Sequence, residues 1–355
     1  MPTVHPQPKV PKYWKLAETL RAQITSGELL PGAQMPTVAQ LQAQYGVSLS
    51  TVNQAQSLLE KDGLIVREQG RRTFVAERPA VQTVGTLGLL LHVEPLSGAY
   101  TTELLAGIRS EAQQQNLELL WLNDEDVSDC RKADAILMYC HPTEAYMLNP
   151  PANIPNVLLF QHTADFTCVA ADDFNGTQIA VKHLVEQGHR RIAYLVSSDI
   201  DTISRQRIAG YRVALAEAGI HADESWLRCI ARSGINNYRR NGEEVMQQWL
   251  ENGWHALGCT AILAHNDETA IGVIKALREK GISVPNDVSV IGFDGTEVSE
   301  LSTPMLTTVK VPLRELGANA VRLLAQQVNQ GVVFEPQKML MPVQLKEGES
   351  VVVRE

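Results

Sequence analysis

The chain has no C-x-x-C pair, no long hydrophobic run and no excess of basic residues, and each absence removes a class of function. Its five cysteines, Cys130, Cys140, Cys168, Cys229 and Cys259, are odd in number and scattered. That spacing suits neither a disulfide framework nor a zinc site; it fits reduced thiols in a cytoplasmic protein. No apolar stretch approaches the ~18–20 residues that a membrane span requires. The proline-containing segment Met1 to Lys12 lacks the hydrophobic core of a signal peptide. A nucleophile elbow, an HExxH helix, a P-loop and a GxGxxG turn after the first body strand are all missing. Asp172 and Asp173 imitate a catalytic carboxylate pair, but neighbours at a helix start rarely converge on one bond. The expectation is a non-enzymatic protein with no cofactor, no metal and no membrane partner.

What is present describes a globular chain of 355 residues, 44% hydrophobic and 20% charged, enough for two or three units with their own cores. The net charge of −9 is unevenly spread. Residues 1–78 carry nine Lys/Arg against six Asp/Glu, a local +3 that leaves −12 for the remainder. A mildly basic head on an acidic body keeps attraction to phosphates local.

The head carries the clearest pattern. Leu16, Leu20 and Ile24 give a helix from about Tyr13 to Ser26 one apolar face, and Gly27 with Pro31-Gly32 ends it. Thr37 is placed to cap a helix containing Val38, Leu41 and Tyr45. After Tyr45-Gly46-Val47, Ser48 or Ser50 can cap a further helix whose Val52, Ala55, Leu58 and Leu59 face inward. Leu49, Thr51, Asn53 and Gln54 are then outward. Two short strands follow around Gln69-Gly70-Arg71-Arg72, with Arg67 on the first and nothing acidic to pair nearby except Glu68. Helix, tight turn, helix and basic hairpin form a winged helix-turn-helix, whose second helix can enter the major groove. The residues expected at DNA are Thr37, Ser48, Ser50, Thr51, Asn53, Gln54, Arg67, Gln69, Gly70, Arg71 and Arg72. Each also has a plain reading as an exposed helix or hairpin residue.

Residues 10–76 resemble the GntR family of bacterial transcription regulators. The carrying stretches are Ser26-Gly27-Glu28-Leu29, Met35-Pro36-Thr37, Gly46-Val47-Ser48, Leu58-Leu59-Glu60, Gly63-Leu64 and Gly70-Arg71-Arg72-Thr73-Phe74-Val75. Family members commonly have arginine where this chain has Ala39, Leu49 and Asn53, and glycine where it has Arg72. The family fold is therefore implied, but an inherited operator is not, and the wing arginines are expected to take a larger share of DNA contacts.

From Val84 onward, apolar runs such as Val84–Leu91, Ala135–Tyr139, Arg191–Val196, Ala261–Ala264 and Val288–Phe293 alternate with helical segments such as Thr102–Gln115, Thr177–Gln187, Ser204–Ala218 and Asp267–Lys280. That order predicts an α/β body of doubly wound parallel sheets, with ligands at the carboxyl ends of strands. Asn266, Asp267, Asp294, Asp172, Asp173, Asn175 and Arg207 all follow strands or open helices there. Such a set suits a polyhydroxylated ligand, while Asp173 and Asp267 also read as helix N-terminal residues.

Residues 84–355 resemble the effector domain of the LacI/GalR family, which shares its architecture with periplasmic sugar-binding proteins. The resemblance runs through Glu103 to Ile108, Gly188-His189-Arg190-Arg191-Ile192, Arg207 to Tyr211, Asn266 to Ala270 and Val284 to Asp294. It implies two subdomains, 84–188 with 310–335 and 189–309 with 336–355, and an effector held by Tyr100, Asn175, Arg207, Tyr238, Asn266 and Asp294. His92, His141 and Gln161 follow strands and are further candidates; His189 reads as a structural helix-end residue. Gly295 replaces a second aspartate common in that family. No LacI-type head or hinge helix is present; the layout resembles that of arabinose-type regulators. The domain expectation is a disordered tail at 1–12, a winged head at 13–76, a linker at 77–83 and the body at 84–355. The functional expectation is a ligand-responsive repressor; the rival readings are a solute-binding protein without DNA function and an enzyme on the same fold. Its expected partners are double-stranded operator DNA, a sugar-like effector and a second copy in a homodimer.

Overall fold

The computed structural model describes residues 12–25, 28–30, 32–61, 64–68, 72–76, 85–91, 98–122, 127–140, 151, 154–161, 163–197, 202–230 and 237–354. The chain divides into two compact units, Met1–Thr83 and Val84–Glu355. Residues 1–11 and the 77–83 segment lie outside the described residues.

The head holds α1 (Lys12–Thr25), α2 (Val38–Tyr45), α3 (Leu49–Lys61), β1 (Ile65–Glu68) and β2 (Arg72–Val75). Its core is built from the apolar faces the periodicity marks: Leu16, Leu20 and Ile24 meet Leu41, Val52, Ala55 and Leu59. The antiparallel β1–β2 pair is fastened to the preceding chain, because Met35 N–H donates to Thr73 O at 2.8 Å and Val75 N–H donates to Ala33 O at 2.8 Å.

The body contains β3 (Gly85–Leu91), α4 (Ala99–Gln114), β4 (Leu117–Trp121), β5 (Ala135–Tyr139), β6 (Asn156–Leu159), β7 (Cys168–Ala171), α5 (Asp173–Glu186), β8 (Ile192–Val196), α6 (Thr202–Glu217) and β9 (Leu227–Cys229). It continues with α7 (Tyr238–Glu251), α8 (Trp254–Leu257), β10 (Ala261–Ala264), α9 (Asp267–Glu279), β11 (Ser289–Asp294), α10 (Glu297–Leu301), β12 (Thr307–Lys310), α11 (Leu313–Gln330), β13 (Lys338–Met341) and β14 (Gln344–Lys346). Two six-stranded sheets result, in the orders β13-β7-β6-β5-β3-β4 and β14-β12-β11-β10-β8-β9. All pairs are parallel except β12–β14. Strands β7, β8 and β10 are buried along their whole length, as sheets covered by helices on both faces require.

The lobes divide differently from the expected boundaries. The chain leaves the first sheet after β7, and α5 packs on α6 and on strands of the second sheet. The first crossover therefore lies at 171–173 rather than at 188. After β12 it returns at 310–313, and α11 covers β5, β6 and β7 of the first sheet. The last crossover lies at 341–344, because β13 joins β7 and only then does β14 join β12. Strands β9, β12, β13 and β14 escape a reading by apolar runs: each is three or four residues long, and β9, β13 and β14 are largely exposed or half-buried.

His189 fastens the C-terminal segment to the second lobe. It is fully buried; its Nε2–H donates to Val352 O at 3.2 Å and its Nδ1 accepts from Thr260 Oγ1 at 2.8 Å. Burial lowers its pKa to about 4, only partly offset by the bond to the Val352 carbonyl. The folded protein thus binds fewer protons than the unfolded chain between pH ~6.5 and ~4, so stability falls as pH falls through that window. The contribution is about 3 kcal/mol. Urea unfolding across pH 4 to 7 should show His189→Gln with a slope against pH shallower by up to one proton than that of the wild type.

Candidate functional site

In the head, α3 shows how its polar residues are shared between fold and surface. Ser48, one of the two expected caps, accepts the Thr51 N–H at 3.3 Å. Its hydroxyl also bonds those of Ser50 at 3.0 Å and Thr51 at 2.8 Å. Thr37 caps α2 in a reciprocal box, its N–H donating to Gln40 Oε1 at 2.8 Å while Gln40 N–H returns to Thr37 Oγ1. Val52 and Ala55 are fully buried, while Leu49, Ser50, Asn53 and Gln54 are exposed and Thr51 is half-buried. Arg72 is exposed on β2, and Gln69, Gly70 and Arg71 lie outside the described residues.

Arg67 corrects the expectation of a hairpin cation without an acidic neighbour other than Glu68. Its Nε lies 3.2 Å from Glu60 Oε2, and its Nη2 donates to Ser57 Oγ at 3.4 Å. Both partners sit on the last turns of α3, distant in sequence from β1 but adjacent once the strand folds back, which is why local spacing missed them.

In the body, a cleft of about 570 Å³ opens between the lobes at the carboxyl ends of the strands. The first lobe contributes Tyr100 from α4 and Tyr139 from the end of β5. Both rings lean on Phe160, with centroids 5.4 and 4.9 Å away, which fixes the aromatic wall. Burial raises the pKa of both phenols, so they face the cleft as neutral hydroxyls.

Arg207, Tyr238, Asn266 and Asp294 line the cleft from the second lobe. Arg207 is clamped from three directions. Its Nε donates to Asp173 Oδ1 at 2.7 Å, its Nη1 donates to His265 O at 2.6 Å, and its guanidinium lies 3.6 Å from the centre of the Phe293 ring. Asp294 ends β11 with φ 106°, a left-handed conformation that aspartate adopts at a cost and that often marks a functional position. Burial pushes its carboxyl well above the usual carboxylate range, against the pull of Arg207 and with Asp267 and Asp173 adding to the rise. Asn266 caps α9 through its Oδ1, which accepts Thr269 N–H at 2.9 Å and Thr269 Oγ1–H at 2.8 Å. Its amide nitrogen remains for other partners.

The cleft thus gathers five of the six residues expected for an effector. Asn175 is not among them. It lies exposed on the first turn of α5, its N–H bonded to Asp172 Oδ1 at 3.1 Å. Asp173 points to Arg207, and a residue two positions on is turned by ~200° around a helix, away from that side. Asp172 and Asp173 are likewise spent separately, as a cap and as an ion-pair partner. Asp267 lines the cleft but serves the fold, accepting Thr296 N–H at 2.8 Å and Thr308 Oγ1–H at 2.5 Å. His92 and His141 lie outside the described residues. Gln161 is buried and accepts Thr202 Oγ1–H at 2.7 Å, joining the end of β6 to the start of α6.

The sequence reading missed Tyr139, His265, Asn237, Arg239 and Glu268, which also line the cleft. Tyr139 and His265 sit at the ends of β5 and β10, where the strand-end rule points. Asn237 and Arg239 open α7 with no preceding apolar run to mark them. His265 stacks on Tyr238 at 5.7 Å; its Nδ1 is buried with no hydrogen-bond partner among the described residues, and burial holds the ring neutral.

Residues 12–75 match the family model described as bacterial regulatory proteins, gntR family, and residues 181–351 match the one described as a periplasmic binding protein-like domain. The chain joins a gntR-family head to a periplasmic binding protein-like body. It is 26% identical over 345 residues to the arabinose metabolism transcriptional repressor of Geobacillus stearothermophilus, covering 90% of this chain and 92% of that protein. It is 25% identical over 342 residues to the ribose operon repressor of Escherichia coli strain K12, covering 89% and 99%. Among solved structures, a complex of the transcriptional regulator CelR with cellobiose shares the fold at TM-score 0.66 and 21% identity, covering 89% of this chain and 100% of that one. These relatives are transcriptional regulators.

Removing the Arg207 guanidinium leaves Asp173 charged and buried beside a second acid. Arg207→Met should lower unfolding stability by roughly 3–5 kcal/mol, and adding Asp173→Asn should recover part of that loss. Urea unfolding of the full chain measures both.

Proposed function

We propose that the protein is a transcriptional repressor whose affinity for operator DNA is set by an uncharged, polyhydroxylated small molecule, a sugar or a close relative, bound between the lobes. The observation that carries this reading is the charge balance of the cleft under a gntR-family head. Arg207 is matched by Asp173 at 2.7 Å and Arg239 by Glu268 at 2.7 Å, while Asp294 adds a half-buried acid whose carboxyl accepts no hydrogen bond from a described residue. An anionic ligand would find both cations already paired and an acid beside them. A ligand rich in hydroxyls can donate to Asp294, accept from the Asn266 amide and lay an apolar face on Tyr100, Tyr139 or Tyr238.

The relatives' names support the direction of the effect, since both are called repressors of sugar operons. The head would enter successive major grooves as one of a pair, in a homodimer on a roughly palindromic site. The ligand shifts DNA affinity only by its preference for one lobe arrangement, typically about 1–3 kcal/mol. A solute-binding protein would have no use for the head, and the acids that would serve an enzyme are bound up in the cap of α5 and the pair with Arg207. A cytoplasmic location follows from this reading.

Thermal-shift measurements with neutral pentoses and hexoses, and with their phosphates and acids, test the ligand class. A neutral sugar at a hundred times its Kd should stabilise the fold by about 2.7 kcal/mol, the charged forms should give no shift, and Asp294→Ala should abolish the response. A gel shift with DNA from upstream of the gene tests the head. Failure of the intact dimer to retard that DNA at low salt overturns the regulator reading.

A further inference from the structure

We propose that α3 reads A·T base pairs, with the Leu49 side chain packed on a thymine methyl and the Asn53 amide paired to a nearby adenine. This rests on the DNA-binding reading of the head and specifies what that head recognises. The base edges in the major groove demand particular chemistry: guanine is read by Arg or Lys, cytosine by Asp or Glu, adenine by Asn or Gln, and the thymine methyl by an apolar group. From Leu49 to Leu59, α3 carries no charged residue at all. The first is Glu60, and it is occupied by Arg67 from β1 at 3.2 Å. The outward positions before Glu60 on this helix therefore carry no Arg, Lys, Asp or Glu with which to read guanine or cytosine.

The polar groups at the start of α3 narrow the choice further. The Ser48 hydroxyl bonds those of Ser50 and Thr51, and Ser48 also caps the helix. Gln56 is buried. What remains outward on the first two turns is Leu49, Asn53 and Gln54. Leu49 is 55% exposed at the first position of a helix whose other large apolar side chains, Val52, Leu58 and Leu59, turn into the core. Leu49 and Asn53 stand four residues apart, so they lie one above the other on a single face, about 5–6 Å between Cβ atoms. A methyl-reading group and an adenine-reading group side by side match neighbouring A·T pairs.

The experiment is selection of bound duplexes from a random-sequence library by the full-length protein, followed by base-analogue substitution in the enriched site. Half-sites should share a core of at least two neighbouring A·T pairs. Replacing one core thymine by deoxyuridine removes only its methyl group and should weaken wild-type binding about fourfold, the value of one buried methyl. The same replacement should leave Leu49→Ala unaffected, and Asn53→Ala should lose discrimination against a G·C pair at the adenine position. Both variants alter exposed side chains, and circular dichroism checks their folding. Half-sites with a G·C core, or a Leu49→Ala protein that still senses the lost methyl, would overturn the assignment while the head remains a DNA binder. No enriched sequence at any salt would overturn the DNA-binding reading, and this assignment with it.

Discussion

The buried ion pair between Arg207 and Asp173 is the contact on which the body depends. Neither side chain has appreciable solvent access, so each charge is tolerable only because the other is 2.7 Å away. The pair joins the start of α5 to α6, and a second Arg207 donor, on Nη1, reaches the backbone just past β10 at His265. One guanidinium thus holds three neighbouring elements of the second lobe in register. It also lies over Phe293, which places it beside Asp294 at the floor of the cleft. The residue that fixes the lobe also lines the cleft, and its charge is answered within the protein. The proposed preference for uncharged molecules rests on that pairing.

How much of this was legible in the sequence depended on whether a side chain's partner was local. The winged head and the two-sheet body follow from periodicity and strand order, and the residues just past strand ends gave Asn266, Asp294 and the neighbourhood of Arg207. The errors have one cause. Asn175 was chosen because it follows a strand, yet Asp173 takes the inward direction on α5 and the helix turns Asn175 away. Arg67 looked unpaired because Glu60 and Ser57 are brought to it only by the fold. The lobe boundary fell short because the first crossover precedes α5, and a helix gives no sign in its own sequence of which sheet it will cover. Tyr139 and His265 lie at strand ends as cleft residues do, but an aromatic ring there reads equally as packing.

The head and the body divide their polar groups in the same way. In α3 the serine and threonine hydroxyls close the helix end, which leaves an apolar side chain and amides to face outward. In the cleft Asp267 and Asp173 hold the fold, which leaves Asp294 and the Asn266 amide to face inward. Residue type alone would have ranked Asp267 with Asp294. Their hydrogen bonds separate them: the Asp267 carboxylate accepts from Thr296 and Thr308, while the Asp294 carboxyl accepts from none of the described residues.

The crossovers explain how occupancy of the cleft can act on the rest of the body. Asp172 N–H, at the first crossover, donates to Met341 O at the third with a length of 3.0 Å, so two of the three connections are tied to each other. Val311 N–H, at the second, donates to the carbonyl of Asp294 at 3.0 Å. The backbone of the ligand-facing acid is therefore part of a hinge, and Asp173 follows directly on another. Under the proposed function, a hydroxyl bonded to Asp294 would act on a residue in a left-handed conformation that is bonded to the second crossover. The Gln161–Thr202 bond runs between the lobes, since Gln161 follows β6 of the first sheet and Thr202 opens α6, which packs on the second lobe.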